Sequence, residues 1–285
     1  MKMTPYFSYK RALIFFLLIG SISILTLSKL YSATPSVVTV SVGNEPRGGA
    51  YNPSTYKGVV SNHNSNTVTI INATNFSTTT VTVGSHPYGV AINNSTNKAY
   101  IANEQSDTVS VITLSNNAIT ATILVGSSPR GIAVNSSTNT AVVANSKSDT
   151  VSILNLSNNS VTATVAVGTD PEGVVINAAN NSAYVTNYGS NTVSVINLTN
   201  NTISTTISVG SGPLGIDINT STSRIMVANH FSNTVSVITP STNTVTATIN
   251  VGLAPYGVAI NSTTSKAYIT NEYSDSVSVI NMGTN

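Results

Sequence analysis

Four side chains in this 285-residue chain have the types that metal or acid–base chemistry uses, and the sequence spaces them within 60 residues: Glu45, His63, His86 and Glu104. Two imidazoles and two carboxylates are a donor set that a divalent cation accepts, and a His beside a Glu is also an acid–base pair. No local motif fixes them in either role, so the reading preferred from sequence is that they are solvated loop residues. Elsewhere the sequence lacks a Gly-x-Ser-x-Gly elbow, a His-Glu-x-x-His helix, a phosphate-binding loop and an EF-hand loop. With no Cys, neither a thiolate metal site nor a cysteine nucleophile nor a disulfide framework is available. The expectation is therefore no cofactor, with a divalent metal at Glu45, His63, His86 and Glu104 as the one alternative.

The elements that position these residues are repeats. A Val-Gly-x-x-Pro-x-Gly motif recurs with its first Gly at positions 43, 84, 126, 168, 210 and 252, and an Asn closing a short apolar run recurs at Asn62, Asn103, Asn145, Asn187, Asn229 and Asn271. Within one unit the pattern gives four short strands, such as 89–93, 99–103, 108–112 and 119–123, joined by Asn-, Gly- and Pro-rich turns. Four antiparallel strands repeating about every 40 residues describe a propeller blade. The sequence thus predicts an all-β, six-bladed β-propeller over residues 34–285. The last unit has room for three strands only, and Val37 to Gly43 carries the pattern of the missing fourth. The expectation is that strand 36–43 completes blade six and closes the ring.

The second-strand motif Ala183-Tyr184-Val185-Thr186-Asn187, echoed at 99–103, 141–145, 225–229 and 267–271, resembles the YVTN family of β-propeller repeats. That resemblance covers residues 35–285 and implies a cell-surface or surface-layer protein. It implies no particular activity. Some propellers of similar appearance carry a metal-assisted lactonase or lyase site at the mouth of the channel, and others assemble into surface layers.

Charge and leader bear on location. Lys2, Lys10, Arg11 and Lys29 lie in the first 30 residues, and without them seven basic side chains face nine acidic ones, with no basic stripe for nucleic acid. After Lys10 and Arg11, Ala12 to Ser28 carries no charge. An apolar helix of this length, assigned to residues 1–33, is either a cleaved export signal or a membrane anchor. In both cases the propeller is expected outside the cytoplasm, on the cell surface.

Alternating strand direction assigns every loop to one of two faces. The loops entering the first strand and joining the second to the third, here the top, carry eight acids and three bases: Glu45, Arg47, Glu104, Asp107, Arg130, Lys147, Asp149, Asp170, Glu172, Glu272 and Asp275. They also carry Tyr188, Phe231 and Tyr273. The column Asn66, Asp107, Asp149, Asn191, Asn233, Asp275 reads as turn chemistry. The position between Pro and Gly is different, because Arg47, Tyr88, Arg130, Glu172, Leu214 and Tyr256 share no structural property. A slot that the fold leaves free, at the channel mouth, is where rigid scaffolds carry recognition. Asn-x-Ser/Thr sequons at Asn72, Asn75, Asn93, Asn94, Asn135, Asn155, Asn158, Asn180, Asn197, Asn200, Asn219 and Asn261 all map to the opposite face, as glycan sites or as products of turn composition. The sequence-level expectation is a non-catalytic binding or structural module whose top face meets a cell-surface protein or glycan.

Overall fold

A computed structural model describes residues 37–283. The chain forms six antiparallel sheets, one per repeat, each running in sequence order from the channel outward. Blade 2 is typical, with an inner strand Pro87–Asn93, a second strand Lys98–Asn103, a third Thr108–Thr113 and an outer strand Ala118–Leu124. Alternation of Val, Ile, Ser and Thr along the third strand suits a pleat packed on both faces against neighbouring blades. Five apolar clusters result, each shared by consecutive blades. Between blades 2 and 3, Tyr100, Val109 and Val111 meet Ile132, Ala141 and Val143.

The Asn landmark is a buried clasp. Each of the six amide nitrogens donates to two hydroxyls of the third strand, five and seven residues on, at 2.9–3.1 Å; Asn145 meets Thr150 and Ser152. The Gly of the Val-Gly motif lies directly on this amide. A methyl group on Gly84 would stand 2.7 Å from Asn103 Cγ, so no larger residue fits.

The Asn/Asp column joins blade to blade. Asn66, Asp107, Asp149, Asn191, Asn233 and Asp275 all adopt positive φ. The first five each accept a hydrogen bond from a backbone N–H entering the next blade, at 2.8–2.9 Å. These five side chains are therefore structural, as their turn chemistry suggested.

The joint between blades 6 and 1 is different. Blade 6 has three strands, Pro255–Asn261, Lys266–Asn271 and Ser276–Asn281. Residues 37–43 form no ladder with them, which corrects the expected closure by strand 36–43. The segment is tied to blade 1, through Gly43 N–H to Asn62 Oδ1 at 3.0 Å and Asn44 N–H to Ser65 Oγ at 2.8 Å. Among the described residues, blades 6 and 1 share no apolar cluster that would draw the two sides together. Tyr268, Val277 and Val279 remain 38%, 55% and 57% exposed, whereas their blade 2 counterparts Tyr100, Val109 and Val111 are fully buried. The expected N-terminal helix at 1–33 lies outside the described residues. Among the described residues no helix is long and apolar enough to cross a membrane.

Asp217, alone in an inner-strand column of Ala and Val, acts across a joint. Its carboxylate accepts the N–H groups of Ile218 at 2.8 Å and of Ile260, in blade 6, at 2.7 Å. Burial raises its pKa to about 6, opposed by those two hydrogen bonds.

Two outcomes follow from these contacts. Gly84→Ala should lower stability in urea unfolding by about 2 kcal/mol through overpacking. Gly58→Ala, where the nearest heavy atom is 4.0 Å away, should change it by no more than about 0.5 kcal/mol. For Asp217, a raised folded-state pKa means that its stabilising contribution is complete below about pH 4 and is lost as the pH rises through about 6. Asp217→Ala should accordingly gain roughly 2–3 kcal/mol relative to the parent between pH 4 and pH 7.5. Equal pH profiles for the two proteins would show that the carboxyl ionises without cost.

Candidate functional site

The slot between Pro and Gly is a β-bulge. In every blade the pairing register of inner and second strands shifts between the Pro and the residues just after the Gly, for instance between Pro87 and Val90. A bulge frees one side chain from the alternation of the strand and re-aims it. The neighbouring backbone is fixed in two of the slots: Ser61 Oγ donates to Tyr88 O at 2.6 Å and Thr186 Oγ1 to Leu214 O at 2.8 Å, stitching each of these two to the preceding blade. Slot side chains can thus vary while their main chain stays in place.

Two sectors result at the channel mouth. In the first, Arg130 bridges three blades. Its Nε and Nη2 each lie 2.9 Å from Glu104 Oε1, and its Nη1 meets Glu172 Oε1. Glu172 is only 8% exposed, and burial pushes its pKa to about 7 against the pull of Arg130, with Asp170 and Glu104 adding to the rise. Burial also works against the charge of Arg130, but Glu172 and Glu104 outweigh it and hold the guanidinium above its ordinary range. Arg47 is paired with Glu45. The Arg47 and Arg130 guanidinium carbons lie 5.5 and 5.8 Å from the centre of the Tyr88 ring. The Tyr88 hydroxyl is hydrogen-bonded to that of Tyr256, and burial together with Tyr256 raises its pKa. Tyr88 and Tyr256 are therefore half-buried and turned to each other across blade 1, not displayed outward.

His63 and His86 do approach, with ring centroids 4.6 Å apart, and His63 Nε2 lies 3.9 Å from Glu104 Oε2. Burial lowers the pKa of His63. The four residues singled out for metal nevertheless do not form a ligand set, because Glu45 is paired with Arg47 and Glu104 with Arg130. Among the described residues no three His, Asp or Glu side chains converge as metal ligands would.

The second sector is an aromatic arc over blades 4 to 6. Phe231 stands 5.5 Å from Tyr188 and 5.1 Å from His230, and His230 stands 5.8 Å from Tyr273 and 6.5 Å from Tyr256. His230 is buried at the centre, with Phe231 63% and Tyr273 73% exposed around it. Gly212 lies beneath, at φ +63°, where a Cβ would come 2.7 Å from Phe231 Cδ2 and 3.2 Å from Tyr188 Cε2. The backbone is thus shaped to the rings. Sequence reading noted these aromatics singly and missed that His230 joins them, since the residues come from three different repeats. Leu214 lies half-buried in its slot, one blade from Glu172 and one from Tyr256.

On the opposite face the sequons divide. Asn75, Asn94, Asn158, Asn180 and Asn200 are exposed, and Asn72, Asn155, Asn197 and Asn261 are half-buried. Asn93, Asn135 and Asn219 are buried; Asn93 Nδ2 donates to Asn139 Oδ1 at 2.7 Å and Asn219 Nδ2 to Met282 Sδ at 3.8 Å. These three amides offer no attachment point in the folded chain.

Among solved structures, the chain is similar to hydrazine synthase of Kuenenia stuttgartiensis, at 15% identity and a TM-score of 0.60, over 89% of this chain and 100% of that one. It is also similar to a functionally unknown protein from Desulfotomaculum acetoxidans DSM 771, at 15% identity and a TM-score of 0.69, over 79% of this chain and 78% of that one. At such identity the likeness concerns the fold alone. No curated protein matches the sequence. Residues 32–230 match the profile of the choice-of-anchor I domain. That match spans more than half of the sequence, and the chain belongs to the choice-of-anchor I domain family.

Proposed function

We propose that this propeller is a non-catalytic recognition module of the cell surface, and that its top face receives a protein or glycan partner on the aromatic arc. The observation that carries this reading is the exposure of Phe231 and Tyr273 on a support of half-buried or buried rings. Most of the Phe231 and Tyr273 ring surface lies in water and is spare for the fold. Held rigid, they lose little entropy when a partner covers them, and such residues dominate interface energetics. The polar first sector borders the arc as a rim, as interfaces commonly require. The family's description as an anchor-associated domain and the apolar N-terminal segment support a place at the cell surface. The YVTN likeness of the second strands agrees with that place. The lactonase or lyase alternative calls for a metal quartet whose carboxylates are already engaged by arginines.

The test is co-sedimentation of the purified protein with envelopes of the cells that produce it. The parent should bind, and Phe231→Ala/Tyr273→Ala should bind at least about tenfold more weakly, a loss of roughly 1.4 kcal/mol, with an unchanged melting temperature. Equal sedimentation of the two proteins would sink the assignment of the arc.

A further inference from the structure

On the face opposite the aromatic arc, the blades turn their chain through residues at positive φ, one just before the second strand and one near the start of the fourth. Blades 2 to 6 place Asn97, Asn139, Asn181, Ser223 and Ser265 at the first position, and blades 2 to 5 place Asn117, Asn159, Asn201 and Asn243 at the second, all at φ between 49° and 58°. Blade 1 places Tyr56 and Phe76 there, at φ 54° and 60°. Asn is at ease in that conformation, whereas a bulky aromatic is an outlier in it. The two rings are 55% and 47% exposed, so the core does not account for them. Their turns lie side by side, joined by Ala73 N–H to Tyr56 O at 2.7 Å. Backbone strain that the fold does not use points to function. We propose that Tyr56 and Phe76 dock this face on the surface of an anionic lipid bilayer.

Charge complementarity selects the bilayer. Lys57, Lys98, Arg224 and Lys266 open the second strands of blades 1, 2, 5 and 6, at the edge of this same face. Those four blades are consecutive around the ring, so the bases flank the aromatic pair on both sides. Among the described residues no Asp or Glu stands in the turns of this face: eight acids lie in the top loops, and Asp217 lies within an inner strand. Lys57, next to Tyr56, donates from Nζ to the neutral acceptors Leu114 O and Asn117 Oδ1 and so keeps its charge uncompensated. Anionic headgroups attract such a cluster, and aromatic rings settle at headgroup level. The chain ahead agrees with a bilayer close by. The uncharged run Ala12 to Ser28 ends nine residues before Val37, a reach of at most about 30 Å when extended. Docked through blade 1, the propeller turns the aromatic arc away from the lipid and toward a partner.

The chain has no Trp, so Phe76→Trp installs a single fluorescent reporter at the pair, and Lys147→Trp, exposed on the top face, installs a control. Each full-length variant is titrated with vesicles of phosphatidylglycerol and, separately, of phosphatidylcholine, following tryptophan emission and its quenching by brominated lipid. The Phe76→Trp emission should shift to the blue and be quenched with phosphatidylglycerol, and the effect should recede at high salt. The Lys147→Trp emission should stay unmoved, even where the N-terminal run enters the lipid. Adding Lys98→Glu and Lys266→Glu to Phe76→Trp should raise the lipid needed for half the shift at least about tenfold. Tyr56→Asn/Phe76→Asn restores the residue type of the other blades and should melt no lower than the parent. A lower melting temperature would assign the rings to the fold and overturn the proposal. Unmoved Phe76→Trp emission with both lipids, the outcome expected of a pair that meets a protein, would overturn it too. So would an equal response to phosphatidylcholine, an equal shift in Lys147→Trp, or a glycan carried by Asn75 next to Phe76. In envelope co-sedimentation the Tyr56→Asn/Phe76→Asn background removes this contact, so that failure at the arc is read separately.

Discussion

An asparagine amide buried beneath a glycine and bonded to two hydroxyls recurs six times in this chain, and the blades take their shape from it. The second and third strands could pair without it, but their loop would then be free to splay. The two donated bonds fix that loop, and the glycine lets the incoming chain cross directly over the amide. This contact sets where the chain enters the inner strand. It thereby sets where the bulged slot stands at the channel mouth.

Once the turn is fixed, the residue four positions after the buried Asn can reach forward. The Asn or Asp at positive φ does so five times, accepting an N–H from the following blade. Its positive φ and short side chain are both needed for that reach. The joints are therefore polar at the rim and apolar within, and the side chains beyond them are spared from structural duty. Arg130, Glu172, Phe231 and Tyr273 are among the residues released in this way. Their diversity across repeats is what such freedom looks like in a sequence.

The period, the six blades, the strand order and the two-faced loop map were legible because each rests on local pattern, repeated in register. The structural role of the Asn/Asp column was legible for the same reason. What could not be read were contacts between side chains of different repeats. Glu45 and Glu104 looked available for metal because nothing in the spacing reveals that the guanidinium groups of Arg47 and Arg130 reach them. Tyr88 and Tyr256 read only as two occupants of the free slot because their meeting spans 168 residues. His230 gave no sign of standing among Phe231, Tyr256 and Tyr273. The closing strand was misread for a related reason, since Val37 to Val42 has the right composition while composition says nothing of whether its partner edge lies within reach.

The unlike sixth joint follows from the same repeat logic. A repeat specifies both sides of an interface, so a chain of six units carries five completed interfaces and one pair of complementary faces at its two ends. The leading face of blade 1 is weakened: Gly49 and Gly58 stand where blade 3 has Ile132 and Ala141. The trailing face of blade 6 keeps Tyr268, Val277 and Val279 but has Thr270 where blade 2 has Ala102 and lacks the fourth strand that supplies Ile123 there. A joint between two weakened faces gains less from closure than its five neighbours do.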